Sequence, residues 1–130
     1  MAEKGLSFKV EGIPNLKRKL KKLDKDAENN VEDAIQEAAL FVEGEVKMSI
    51  SGQRAEPKSI DTGEFRRRMG VNKTGKFQRT LSSHVKYAPH LEYGTSRIKP
   101  RRHFRNSLTR SEGKIEKFIA EAIREAIARF

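Results

Sequence analysis

Between Ala27 and Ile50 the residues Ala27, Val31, Ala34, Ile35, Ala38, Val42, Val46 and Ile50 recur at spacings of three and four. That period matches the α-helical turn, so the stretch predicts one long helix with a single apolar face and acids between the apolar positions. Gly44 is a mild interruption. Many of the facing side chains are small, so another element can approach closely. A helix with one apolar face must bury it, and the rest of the chain has to supply the cover.

The other elements follow from similar patterns. Ser111 to Phe130 predicts a second amphipathic helix, with Ile115, Phe118, Ile119, Ala122, Ile123, Ala126, Ile127 and Phe130 on one stripe. Ser111 suits its N-cap, with Glu112 and Lys114 in the first turn. Near the start, Ile13, Leu16, Leu20 and Leu23 make a narrow stripe after Pro14, a residue suited to a first helical turn. The lysines off that stripe read as a solvated face. "LSFKVEGI" alternates, and Phe8 to Val10 predicts a short strand. "MGVNKTGKFQRTLSSHVKY" predicts a β-hairpin: Val71 opens it, Thr74-Gly75-Lys76 turns, and Phe77 to Tyr87 returns. Phe77, Arg79, Leu81, Ser83 and Val85 share one face of that return strand. The expected class is α+β: a small antiparallel β-sheet with a long central helix, an N-terminal helix and a C-terminal helix packed on it. At 130 residues the chain is expected to be one domain, 1–130. A mobile loop is expected at about 51–60 and a basic irregular segment at about 94–106.

Composition bounds the partners. Hydrophobic and charged residues each make up 35%, a thin core supply that hints at surface buried against other molecules. The net charge is +10. Residues 54–110 carry 15 Lys/Arg against 4 Asp/Glu, and the remainder carries 13 against 14. The positive field therefore belongs to the middle of the chain, where it attracts phosphates or acidic protein surfaces. Cysteine is absent, so disulfides and thiolate metal sites are excluded. No apolar run approaches the ~20 residues of a membrane span, and no signal core opens the chain.

The motifs of common enzymes are not met. Asp61-Thr62-Gly63 matches the aspartic-protease triplet, but that chemistry needs paired aspartates within an apolar β framework. The triplet reads better as a helix start: Asp61 or Thr62 caps, Glu64 sits in the first turn, and Phe65 and Met69 face inward. His84, His90 and His103 have no metal-ligand spacing and are expected to be surface or half-buried residues. There is no GxSxG elbow, no Walker loop and no GxGxxG. Neither a catalytic constellation nor a cofactor or metal site is expected.

What remains is basic. Arg66, Arg67 and Arg68, then Arg97, Lys99, Arg101, Arg102 and Arg105, form a candidate surface for phosphates or for a neighbouring subunit's carboxylates. Tyr87, Tyr93 and Phe104 are candidate stacking rings, yet "YAPHLEYGT" reads better as structure. Pro89 starts a short helix or turn, Tyr87 and Leu91 pack inward, and Gly94 ends it with positive φ. Glu92 is the single carboxylate in this stretch.

Taken in order, "FKVEGIPNLKRKLKKL", "VEDAIQEAALFVEGEVK", "IDTGEFRRRM" and "YAPHLEYGTSRIKPRRHFRNSL" resemble the tail-component or neck-protein family of tailed phages. The shared features are a "V-D-T-G-x-L-R" segment and a later "Y-A-x-x-x-E-x-G-T…P-R-P-F-x-R-x-A". They fall here on Asp61, Thr62 and Gly63, and on Tyr87, Pro89, Glu92, Gly94, Thr95 and Phe104. Two positions depart: Glu64 follows the "D-T-G", and Arg102 stands where the family usually has proline. The resemblance implies a structural virion protein of the neck or tail, assembled in the host cytoplasm. It implies a ring of copies between the portal or adaptor side and the tail-terminator or tail-tube side, with non-specific contact to genomic DNA. The basic residues would then form an assembly surface or face the DNA channel. The alternative from composition alone is a small nucleic-acid-binding protein.

Overall fold

A computed structural model describes residues 6–11, 25–59 and 63–128, with side chains for 25–59 and 63–125. The N-terminal helix expected over Ile13–Leu23, and Asp61 and Thr62 of the triplet, lie outside the described residues. The elements are strand β1 (Leu6–Glu11), helix α1 (Lys25–Ile50), helix α2 (Glu64–Arg67), strands β2 (Met69–Gly75) and β3 (Gln78–Ser83), and helices α3 (Ala88–Tyr93) and α4 (His103–Ala128). This is an α+β fold.

The strands form an antiparallel sheet in the order β1-β3-β2. Central β3 sets Leu81 opposite Phe8 on one side and opposite Val71 on the other. Phe77, Arg79, Leu81, Ser83 and Val85 are all buried, as their alternation predicted. The hairpin itself differs from expectation. Its first strand opens at Met69, its return strand ends at Ser83, and Phe77 belongs to the turn with φ 58. An adjacent irregularity between Lys73 and Gly75 shifts the register. A bulky residue rarely adopts positive φ, and here the Glu32 carboxylate holds it by accepting the Phe77 N–H at 2.6 Å. Met69 consequently lies in a strand rather than in the helix that begins at Glu64, although it still packs on the core.

All eight stripe residues of α1 are buried, among them Val31, Ile35, Ala38, Val46 and Ile50 at 0% exposure. The helix ends in a Schellman arrangement. Gly52 at φ 84 donates to the Ser49 carbonyl and Gln53 to that of Met48. Helix α4 runs antiparallel to α1: Ser49 meets His103 at one end, and Phe41 meets Phe118 edge-on at 6.3 Å further along. Ile115, Ile119 and Ala122 enter the same core. This helix begins eight residues before the expected Ser111. The early turns bury His103, Phe104, Ser107 and Ser111 at helical spacing. Ser111 is therefore an interior residue and not a cap, and the irregular segment ends at Arg102.

Candidate functional site

The basic stretch is fastened from within by its one carboxylate. Glu92 is 2% exposed, and its two oxygens accept the N–H groups of Phe104 and Arg105 at 2.9 Å each. Those are two of the orphan donors in the first turn of α4, so α3 supplies the cap that α4 lacks in its own sequence. Burial pushes the Glu92 carboxyl above the usual range, against the pull of the two N–H groups and Arg102. Arg102, immediately before the helix, has φ 53. Proline is confined near −65° and could not take this turn, so the departure at this position has a local structural consequence.

Behind the cap lies a buried polar chain. His103, at 0% exposure, joins Ser49 through Nδ1 at 2.7 Å and Ser59 through Nε2 at 2.6 Å. Ser49 donates to Glu56, whose carboxylate also accepts both terminal nitrogens of Arg110 (2.7 and 2.9 Å) and the Asn106 amide at 3.0 Å. At the other end Arg101 donates to Ser59 Oγ at 2.8 Å and to the Lys58 carbonyl at 2.9 Å. The donors have one consistent order. Ser49 gives its proton to Glu56, so it accepts from Nδ1–H; Nε2 is then an acceptor, and Ser59 donates to it. Arg110, despite burial of the acid, holds Glu56 down to about 2. Burial holds His103 down to about 4, with Arg101 and Arg110 adding to that effect and Glu56 opposing it. His103 was expected at the surface or half-buried; it is fully buried, with Ser49 and Ser59 satisfying both ring nitrogens.

A serine donating to a histidine is also how a nucleophile meets its base. Here the arrangement points elsewhere. Arg101 occupies the Ser59 oxygen, Arg110 neutralises the carboxylate, and a histidine held near 4 is a weak base at neutral pH. The chain ties the segment after α1 to the start of α4. Sequence reasoning missed Glu56, Ser49, Ser59, Asn106 and Arg110 because they are polar residues scattered over three segments.

The predicted basic residues separate into two kinds. Arg101 is half-buried and bonded as above, and Arg66 donates to Ser51 Oγ at 3.0 Å while remaining exposed. Arg67 and Arg68 are exposed and turn back on their own helix, to the Gly63 carbonyl and to Glu64. Arg97, Lys99, Arg102 and Arg105 are exposed. Gly63 has φ 80 and leads into α2. Helix α3 follows Tyr87 with Pro89 in its first turn and ends at Gly94, φ 79. Tyr87 is less buried than predicted, at 37% exposure, although its ring meets the Phe65 edge at 5.8 Å. Thr95 fixes the next turn: its hydroxyl accepts the N–H groups of Arg97 and Ile98. Phe104 is a core residue, 1% exposed, and not a stacking platform.

Among the described residues no three His, Cys, Asp or Glu side chains converge as a metal site would need, and no helix is long and apolar enough to cross a membrane. A family model described as "Bacteriophage HK97-gp10, putative tail-component" matches residues 15–94, more than half of the chain. The match takes in α1, the hairpin and α3 and stops at Gly94, so the exposed Arg97, Lys99, Arg102 and Arg105 and the whole of α4 lie beyond it. No curated protein and no solved structure matches this chain.

Proposed function

The chain belongs to the HK97-gp10-like family of bacteriophage tail components, and from that membership we propose that it is a structural protein of the virion neck. It acts in head–tail joining or tail completion, as one subunit of a ring around the DNA channel. Its contacts are with its own copies, with the portal or adaptor side, and with the tail-terminator or tail-tube side. The role is assembly and not catalysis. The observation that carries the reading is the family match, and the exposed cations Arg97, Lys99, Arg102 and Arg105 are consistent with it. They sit on a turn fixed by Thr95, Glu92 and Arg101, so a surface built there is ordered before a partner arrives.

The test is a phage whose own copy of the gene carries Arg97, Lys99, Arg102 and Arg105 all changed to alanine. Arg101 is spared, because it bonds the Lys58 carbonyl and Ser59. The expected result is unjoined heads and tails by electron microscopy from a protein with an unchanged melting curve. Normal infectious particles would sink the proposal. So would tight DNA binding by the isolated monomer that fell steeply with salt, because that behaviour belongs to a nucleic-acid-binding protein.

A further inference from the structure

Gly44 lies in the middle of α1 and is exposed. A Cβ built on it meets nothing within 4 Å. Glycine weakens a helix interior relative to alanine, and the described packing gives no reason for it here. Four residues to either side stand Leu40 and Met48, at 48% and 40% exposure. Residues at that spacing share a helix face, so Gly44 forms a notch between two exposed apolar side chains. Asp33 and Glu37 continue the same exposed line toward the N-terminus of the helix. Arg54 touches the Met48 sulfur, but its guanidinium is paired with Glu45.

A second surface has the complementary character. Tyr93 and Ile98 are 64% and 39% exposed, and Arg97, Lys99 and Arg102 of the same segment are exposed too. The chain folds tightly here. Thr95 N–H donates to the Ile98 carbonyl at 2.8 Å, and a Cβ on Gly94 would lie 2.8 Å from that same oxygen. The turn therefore carries two exposed apolar residues and three exposed cations on one short segment whose backbone is already closed on itself.

We propose that the Leu40–Gly44–Met48 notch receives the Tyr93–Ile98 knuckle of a second copy of this chain, whose Arg97, Lys99 and Arg102 face Asp33 and Glu37. Charge complementarity selects this occupant: an acid-flanked apolar notch and a cation-flanked apolar knuckle occur in one sequence. The proposal rests on the assembly reading above and names the two faces that meet. Because they differ, the contact is head-to-tail, and copies add in sequence until the ring closes.

The test is sedimentation velocity of the full chain at about 0.15 M salt, with Gly44→Gln, Gly44→Ala and Ile98→Asp beside the wild type. The wild type is expected to self-associate, and Gly44→Gln and Ile98→Asp each to sediment as monomers. Mixed one to one, those two variants should give a heterodimer and nothing larger, since each keeps one intact face. At a concentration where both are monomeric, Gly44→Ala should melt a few degrees above the wild type, and at higher concentration it should associate more weakly, which separates docking from folding. A Gly44→Gln protein that associates like the wild type removes these faces and leaves the assembly reading standing. At a concentration where the wild type is itself monomeric, a thermal midpoint for Gly44→Gln several degrees below wild type would mean that the notch is filled from within the same chain, and overturns the proposal. A wild type that stays monomeric at every concentration also overturns it. A phage without the gene that still joins heads to tails overturns the assembly reading itself.

Discussion

Helices α1 and α4 meet along much of their length, and the two halves of that contact are chemically unlike. Away from the loops the contact region is apolar, with Val31, Ile35, Ala38 and Val42 of α1 and Ile115, Ile119 and Ala122 of α4 in one core. Toward the α1 C-terminus Val46, Ile50 and Phe104 continue that core, but a buried polar chain joins them, with Arg110, Glu56, Ser49, His103 and Ser59 bonded in series. Apolar burial is strong but non-directional, and small side chains such as Ala38 and Ala122 allow several registers. A buried hydrogen-bond series permits one register, because any slip leaves a polar group unsatisfied. The difference teaches a division of labour: one half holds the helices together, and the other sets the position of the segment that carries the exposed arginines.

Ile119→Ala is expected to have the largest effect, about 3 to 4 kcal/mol by chemical denaturation, because Ile119 is wholly buried. That cost should be the same at pH 7 and pH 5. A loss below about 1 kcal/mol would mean that the apolar half is not the adhesive one. Glu56→Gln comes next, at about 2 kcal/mol, since it leaves Arg110 and Ser49 facing a neutral amide. Unlike the first, this cost should fade as pH falls from 4.5 toward about 2, because the unfolded chain takes up the Glu56 proton first and the native carboxylate follows only near 2. A pH-independent cost would put Glu56 outside the ionic network.

His103→Gln should cost least at neutral pH, about 1 kcal/mol, and should change the acid limb instead. The folded state holds this imidazole near 4 and the unfolded chain near 6.5. As pH falls, the unfolded state therefore binds the proton first. The stability contributed by the neutral imidazole is complete above 6.5 and is lost progressively down to about 4. In urea melts across this window the wild type should weaken and the glutamine variant should stay level. Parallel pH profiles would show that His103 does not set the acid sensitivity of the polar half.

The apolar half was legible and the polar half was not, for a physical reason. The α1 stripe consists of residues whose burial and spacing carry the same message, and each predicted position is buried. The alternating face of β3 was legible in the same way. The first turns of α4 bury His103, Ser107 and Ser111, residue types that composition assigns to water. Their helical spacing was present in "RRHFRNSLTRS", hidden among arginines that face solvent. Glu92 was visible as the lone carboxylate in a basic stretch, but a cap lent by one helix to another leaves no local pattern. The tail-component resemblance was carried by the order of its segments, and the family match covers much of the same ground.

The hairpin turn has a consequence in time. A short loop that closes a strand pair without help usually contains Asn-Gly or Asp-Gly, whose backbones accept positive φ readily. Here that position is Phe77, with its N–H held by Glu32 and its ring buried. The two strands therefore lack a turn able to nucleate them. The turn depends on Glu32 of α1, so the hairpin is expected to form after that helix and to dock on it. A peptide of residues 69–85 should accordingly show no cross-strand contacts by NMR in water, and a peptide that paired unaided would reverse this order of events.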